Sequence, residues 1–277
     1  MIDIDPIKKW FAEKLDMQIP ETQLIYVPET FICEDLEGTL LFTPGFMSIG
    51  EVDFNAMEST INLALSYMMM DREFSGYRKQ GIEFHLRKAV KEILDLSVEL
   101  MKKDQNLVRY IKQHTGERIY ILPSYVELWE SAQLEDRINI ESQFVHELFH
   151  NEQKRRKLIQ KYPSLIEAPA WILQFLYGAS FIGYSEYRRR HNILMINHRA
   201  GYNPTTDETL LKIAQIKQRT LNIGQSVLTR TLDINMKGDP NRQLEKFKSI
   251  FSSPRYENMA AMVAYRFYKP IVLEALR

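Results

Sequence analysis

The chain has a single cysteine, Cys33, among its 277 residues, so no intrachain disulfide can staple it. Disulfide-built domains belong to oxidising compartments, and a reducing, cytoplasmic setting is the expectation. An excess of charge of either sign is also missing, with 36 basic residues against 36 acidic ones. That balance gives no bulk attraction to nucleic acid or to an anionic membrane surface, and neither is expected as a partner. The N-terminus, Met1-Ile2-Asp3-Ile4-Asp5-Pro6, has no basic stretch followed by an apolar run, so no secretory leader is expected. There is no internal repeat and no low-complexity linker. Only one apolar run is long, at 168–184. It is broken by Gln174, starts beside Glu167 and Pro169, and falls short of the roughly 20 residues a spanning helix needs. A buried core helix is the expectation there, with no membrane segment.

What is present is an ordinary globular composition, 45% hydrophobic and 26% charged, on a chain long enough to bury a core. Apolar residues recur at helical spacing over about 5–15, 51–72, 82–103, 140–158, 164–183, 206–222, 241–251 and 255–276. The run Met68-Met69-Met70 reads as core filling. Leu24-Ile25-Tyr26-Val27, Thr39-Leu40-Leu41-Phe42 and 118–123 read as strands, with Pro123 ending the third or marking it as a sheet edge. The expected class is α+β with helix dominant. Gly201 and Pro204 separate a helical region at 201–277, itself broken at Gly238-Asp239-Pro240, from the middle of the chain; the expected division of the rest is an N-terminal α+β region at 1–115 and a catalytic core at 116–200.

One segment carries chemistry. Residues 146–150 read His146-Glu147-Leu148-Phe149-His150, the HExxH pattern. Residues four apart lie on one face of a helix, one turn along, so two imidazoles can converge on one zinc ion. Glu147 follows the first ligand directly. Its carboxylate can reach the open coordination position without ligating, where a general base takes a proton from water and passes it to the leaving amine. Two ordinary helix histidines hydrogen-bonded in a core are the plainer reading of the same residues.

A catalytic zinc needs a third protein ligand. Asn151-Glu152-Gln153-Lys154-Arg155-Arg156 follows His150 without the Gly and His of the extended metzincin pattern, which excludes that class. Glu167 is the better candidate. Residues 151–166 leave room for the first helix to finish, turn at Tyr162-Pro163-Ser164 and return a second helix by its N-terminal end. Ser164-Leu165-Ile166-Glu167 also fits a capping box, in which Glu167 would serve the helix terminus instead; Pro169 complicates that register.

Over about 140–180 the HExxH helix followed by Ile166-Glu167-Ala168-Pro169-Ala170-Trp171 resembles the gluzincins, the thermolysin-like branch of zinc peptidases. The resemblance implies a zincin-like core with a small sheet, a Zn2+ cofactor on His146, His150 and Glu167, a peptide or protein substrate, and Glu147 as base. It further implies a downstream group that stabilises the oxyanion, for which Tyr184, Tyr187, His191 and His198 are candidates. Two positions depart from the family: Glu152 stands where an apolar residue is usual, and Trp171 stands where an acid orients a ligating histidine, so the group that hydrogen-bonds the histidine must come from elsewhere. Lys154-Arg155-Arg156-Lys157 and Arg188-Arg189-Arg190 read as solvated helix ends or faces, the latter also as a clamp for a substrate carboxylate. The strand at 118–123 is either structural or an edge on which substrate main chain pairs.

The expected activity is therefore metal-assisted peptide hydrolysis. The alternative from another class is a non-catalytic helical interaction or regulatory protein that retains a zincin scaffold. A di-iron bundle would need a second ExxH, and none of His85, His114, His191 or His198 has an acid three residues before it.

Overall fold

Amphipathic helices supply most of the architecture in the computed structural model, which describes residues 2–28, 41–42, 54–103, 105–200, 207–251 and 254–277. Cys33 and positions 39–40 of the second expected strand lie outside those residues. The element order is α1 Asp5–Leu15, β1 Gln23–Tyr26, β2 Leu41–Phe42, α2 Phe54–Met68, α3 Lys79–Lys103, α4 Gln105–Lys112, β3 Arg118–Ile121, α5 Pro123–Ser131, α6 Leu134–Arg155, α7 Leu158–Lys161, α8 Glu167–Ile182, α9 Tyr184–Ala200, α10 Glu208–Thr231, α11 Pro240–Lys248 and α12 Arg255–Leu276. The α+β, helix-dominant class holds.

The sheet corrects one expectation. Strand β3 is central: β1 pairs with it in parallel along its whole length, and β2 pairs antiparallel at Tyr120 and Ile121. Both flanks of 120–121 are occupied, so substrate main chain has no edge there to pair with. Pro123 does not mark an edge; it opens α5, where its fixed φ and missing N–H suit the first helical turn. The methionine run is also split. Met68, the last residue of α2, is fully buried, whereas Met69 and Met70 fall in the turn beyond it and are 46% and 71% exposed.

Helix α6 begins six residues before the expected start and is the axis of the main core. Ile140, Phe144, Val145, Leu148 and Phe149 are fully buried on it. Each such side chain contributes about 1.5–3 kcal/mol by leaving water. The helix stops where Lys157 turns left-handed at φ 57°. The same core takes Trp10 and Phe11 from α1, Leu173 and Leu176 from α8, Val227 from α10, Phe247 from α11 and Val263 from α12. Residues of all three expected regions thus share one hydrophobic cluster. A second cluster joins α2 and α3 to the far half of α12.

Helix α8 buries every residue from 168 to 179 except Trp171. By length and composition the stretch Pro163–Ile182 would suffice to cross a membrane, but two thirds of its most apolar window is buried inside this fold. Its neighbours are α6, α9, α10 and α11. Gly178 is what lets α9 approach: a β-carbon there would lie 2.0 Å from the Tyr187 ring.

Candidate metal centre

His146 and His150 lie in one continuous helix, four residues apart, and their rings meet at 4.6 Å between centroids. The two Nε2 atoms are 3.0 Å apart. Helix α8 starts at Glu167, and its Oε2 lies 3.3 Å from His146 Nε2 and 3.7 Å from His150 Nε2. The capping-box reading of Glu167 is not realised. Ser164 sits in a 3₁₀ turn, Pro163–Leu165, and its hydroxyl donates to the Ala260 carbonyl, while the N-terminus of α8 has no side-chain cap. Pro169 is the third residue of α8, a position whose N–H has no intrahelical partner, so it removes no helix hydrogen bond.

The donor set fits a tetrahedral ion. Ligand atoms about 2.0–2.1 Å from a tetrahedral zinc lie about 3.3 Å from one another. The three observed edges, 3.0, 3.3 and 3.7 Å, scatter around that value. Two imidazole nitrogens and one carboxylate oxygen are ligands that zinc accepts and that other first-row divalent metals accept too.

The hydrogen-bond network fixes which nitrogen of His150 faces the centre. The Ile166 carbonyl can only accept, so the amide nitrogen of Gln153 must face it, at 3.0 Å. The amide oxygen then faces His150 Nδ1 at 2.8 Å and requires a proton there. In neutral His150 the lone pair therefore sits on Nε2, directed at His146 and Glu167. His146 differs: its Nδ1 is buried without a hydrogen-bond partner among the described residues.

Electrostatics bind the cluster together. Burial works against a charged His150, but the Glu167 carboxylate, by charge and hydrogen bond, with Glu147 and the Gln153 oxygen adding to it, raises its pKa to about 9. Glu167 is held well below the ordinary carboxylate range; burial opposes this, but the charge of His150 and hydrogen bonds from both histidines outweigh it. Its side chain is 47% exposed, which makes it the solvent-facing member of the cluster, so pairing rather than desolvation governs its charge. Glu147 is 9% exposed and close enough for its charge to act on His150.

Glu152, the first departure from the family pattern, is a buried anchor. It accepts from Arg155 Nε and Nη2 at 2.6 and 2.7 Å and from Arg156 Nε at 2.6 Å. Burial raises the pKa of its carboxyl, but the two arginines overcome that and lower it. Arg156 also lies 4.2 Å over the Phe251 ring. The basic run at 154–157 thus closes the end of α6. In the second basic run, Arg189 and Arg190 pair with Glu186, and Arg190 also reaches Asp136.

The four downstream candidates occupy different surroundings. The Tyr187 hydroxyl lies 2.6 Å from Ser142 Oγ and 3.5 Å from Gln174 inside the core, and burial pushes its pKa up. The His191 ring stacks on Tyr187 and meets Phe175 edge-on. Tyr184 is partly exposed in the first turn of α9. Tyr184 follows Gly183 at the far end of α8, whose 16 residues at about 1.5 Å each carry it about 24 Å along that helix from Glu167. The side chain of His198 lies outside the described residues.

Sequence reasoning passed over Gln153. It lies seven residues after His146 and three after His150, on the same stripe of α6, and that spacing was the available signal. Tyr256, which accepts from Gln153 at 3.2 Å across 103 residues of sequence, carried no local signal at all. No protein-family model matches this chain, and neither the curated proteins nor the solved structures gave a significant match.

Proposed function

We propose that the chain is a zinc-dependent peptidase of gluzincin-like type, acting in the cytoplasm on peptide or protein substrates. The observation that carries the reading is the convergence of His146 Nε2, His150 Nε2 and Glu167 Oε2 within 3.0–3.7 Å, with Glu147 beside them on the same helix. A bound zinc ion would supply Lewis acidity and a lowered pKa for water at its open position.

The chain's own residues would do the rest. Glu147 takes a proton from the attacking water as its oxygen bonds to the scissile carbonyl carbon. The same carboxyl then delivers that proton to the amide nitrogen as the C–N bond breaks, leaving a carboxylic acid and an amine. An oxyanion donor would come from the downstream candidates other than Tyr187, which is engaged in the core, and Tyr184, which lies past the far end of α8. Substitution of a general base costs about 10²–10⁴-fold in rate. Glu147→Gln is therefore expected to retain metal and fold and to lose at least about a hundredfold in peptide turnover. Turnover equal to wild type in that variant would remove the mechanism.

The second reading is a non-catalytic interaction or regulatory protein in which the same centre is structural. The burial of His150 and Glu147, at 7% and 9% exposed, favours it. It predicts that metal raises the melting temperature while a degenerate peptide library stays uncut.

A further inference from the structure

We infer that Gln153 and Tyr256 are positioning residues of the metal centre and that helix α12 is through them a part of it, an inference that rests on the metal-binding reading above. Gln153 is fully buried and uses its whole amide. Its oxygen accepts from His150 Nδ1, and its nitrogen donates to the Ile166 carbonyl and to the Tyr256 hydroxyl. Tyr256 has one proton to give, and it goes to the Leu165 carbonyl at 2.7 Å, so the hydroxyl must accept from Gln153. Each donor and acceptor in this chain has one consistent assignment.

The geometry explains how a single amide serves two ligands. Leu165 and Ile166 are the residues directly before Glu167. Gln153 therefore sets the tautomer and ring plane of His150 on one side and ties the start of α8 to α6 on the other. Tyr256, in the first turn of α12, holds both Gln153 and Leu165. A second bond, Ser164 Oγ to the Ala260 carbonyl at 2.9 Å, docks the same turn on α12. Tyr256 is itself fixed by stacking on Phe251 and by Tyr162. In so dry a setting a half-satisfied network is costly, so the loss of one hydroxyl is transmitted to the ligands. Outer-shell partners of ligating histidines are worth about 10–100-fold in metal affinity.

The test uses the full chain, stripped with a chelator, in four forms: wild type, Tyr256→Phe, Gln153→Leu and His146→Ala. Zinc affinity is measured by competition with a chromogenic chelator, and the visible spectrum of bound Co2+ reports ligand geometry. Circular dichroism before metal addition checks folding. The expected result is a 10–100-fold weaker affinity for Gln153→Leu, a smaller loss for Tyr256→Phe, and an altered Co2+ spectrum in both. Added zinc should also slow amide hydrogen exchange in the first turns of α12 in wild type and not in His146→Ala. If wild type binds zinc tightly and both variants bind as tightly with the same spectrum, the positioning role is overturned while the metal centre stands. If wild type binds no metal, the underlying reading falls and this inference with it. If Gln153→Leu does not fold, Tyr256→Phe, which keeps the ring and its packing, decides alone.

Discussion

Stripping the protein of metal and raising the pH should destabilise it through His150. The folded-state pKa of about 9 lies above the roughly 6.5 of an unfolded-chain histidine. A raised pKa contributes stability that is fully present below about 6.5 and is lost as pH rises through 9. The difference of about 2.5 units, at 1.36 kcal/mol each, corresponds to about 3 kcal/mol. Glu167 is the other half of the same ion pair, so its lowered pKa is not added to that figure. Its own contribution runs the other way, present above the ordinary carboxylate pKa and lost as pH falls through its depressed folded value. The assay is urea unfolding at pH 6 and pH 9.5 in chelator, for wild type and His150→Gln. Wild type should lose about 3 kcal/mol more than the variant between the two pH values. In excess zinc the trend should vanish, because a ligating His150 has already lost its Nε2 proton. Equal pH dependence of wild type and variant in chelator would refute the assignment of that ion pair.

Other perturbations test the scaffold around the centre. Glu152→Gln weakens the charge-assisted bonds from Arg155 and Arg156 but leaves both arginines half-exposed to water, so a loss of about 1–2 kcal/mol in chemical denaturation is expected. No measurable change would mean that the buried carboxylate does not hold the end of α6. Gly178→Ala drives a β-carbon into the Tyr187 ring, whose hydroxyl is pinned by Ser142, and should cost about 1–3 kcal/mol. Tyr187→Leu in that background should recover part of the loss, and additive losses would contradict the contact. Zinc added at pH 7.5 should release close to one proton from His150, read from the dependence of binding heat on buffer ionisation enthalpy; an enthalpy independent of buffer would count against it.

What was legible in the sequence follows physical range. His146, Glu147 and His150 are linked by helical periodicity alone, and the structure places them on one helix as that periodicity requires. Glu167 was reachable because the residues between it and His150 suit a helix end, a turn and a return, but the choice between ligand and cap was not. Ser164 settles the cap by donating to Ala260, a partner 96 residues away. The central place of β3 was hidden for the same reason: its neighbours β1 and β2 are set by long-range pairing, and Pro123 says only that the strand stops. Helix α9 was legible only as a charged face at 188–190, because Tyr184–Ala200 is crowded with charge and has weak apolar periodicity; Gly178 and the Tyr187 ring dock it. Gln153 lay in plain view on the ligand stripe, yet its role depends on Ile166 and Tyr256, which local pattern does not bring together.

The most direct test of the central claim is the metal content per chain of protein purified without added metal, for wild type, His146→Ala and Glu167→Ala. Close to one zinc per wild-type chain is expected, with none in His146→Ala and a weakly held, easily stripped ion in Glu167→Ala. A wild-type protein that carries no metal, even after zinc is supplied and the excess washed away, would contradict the claim.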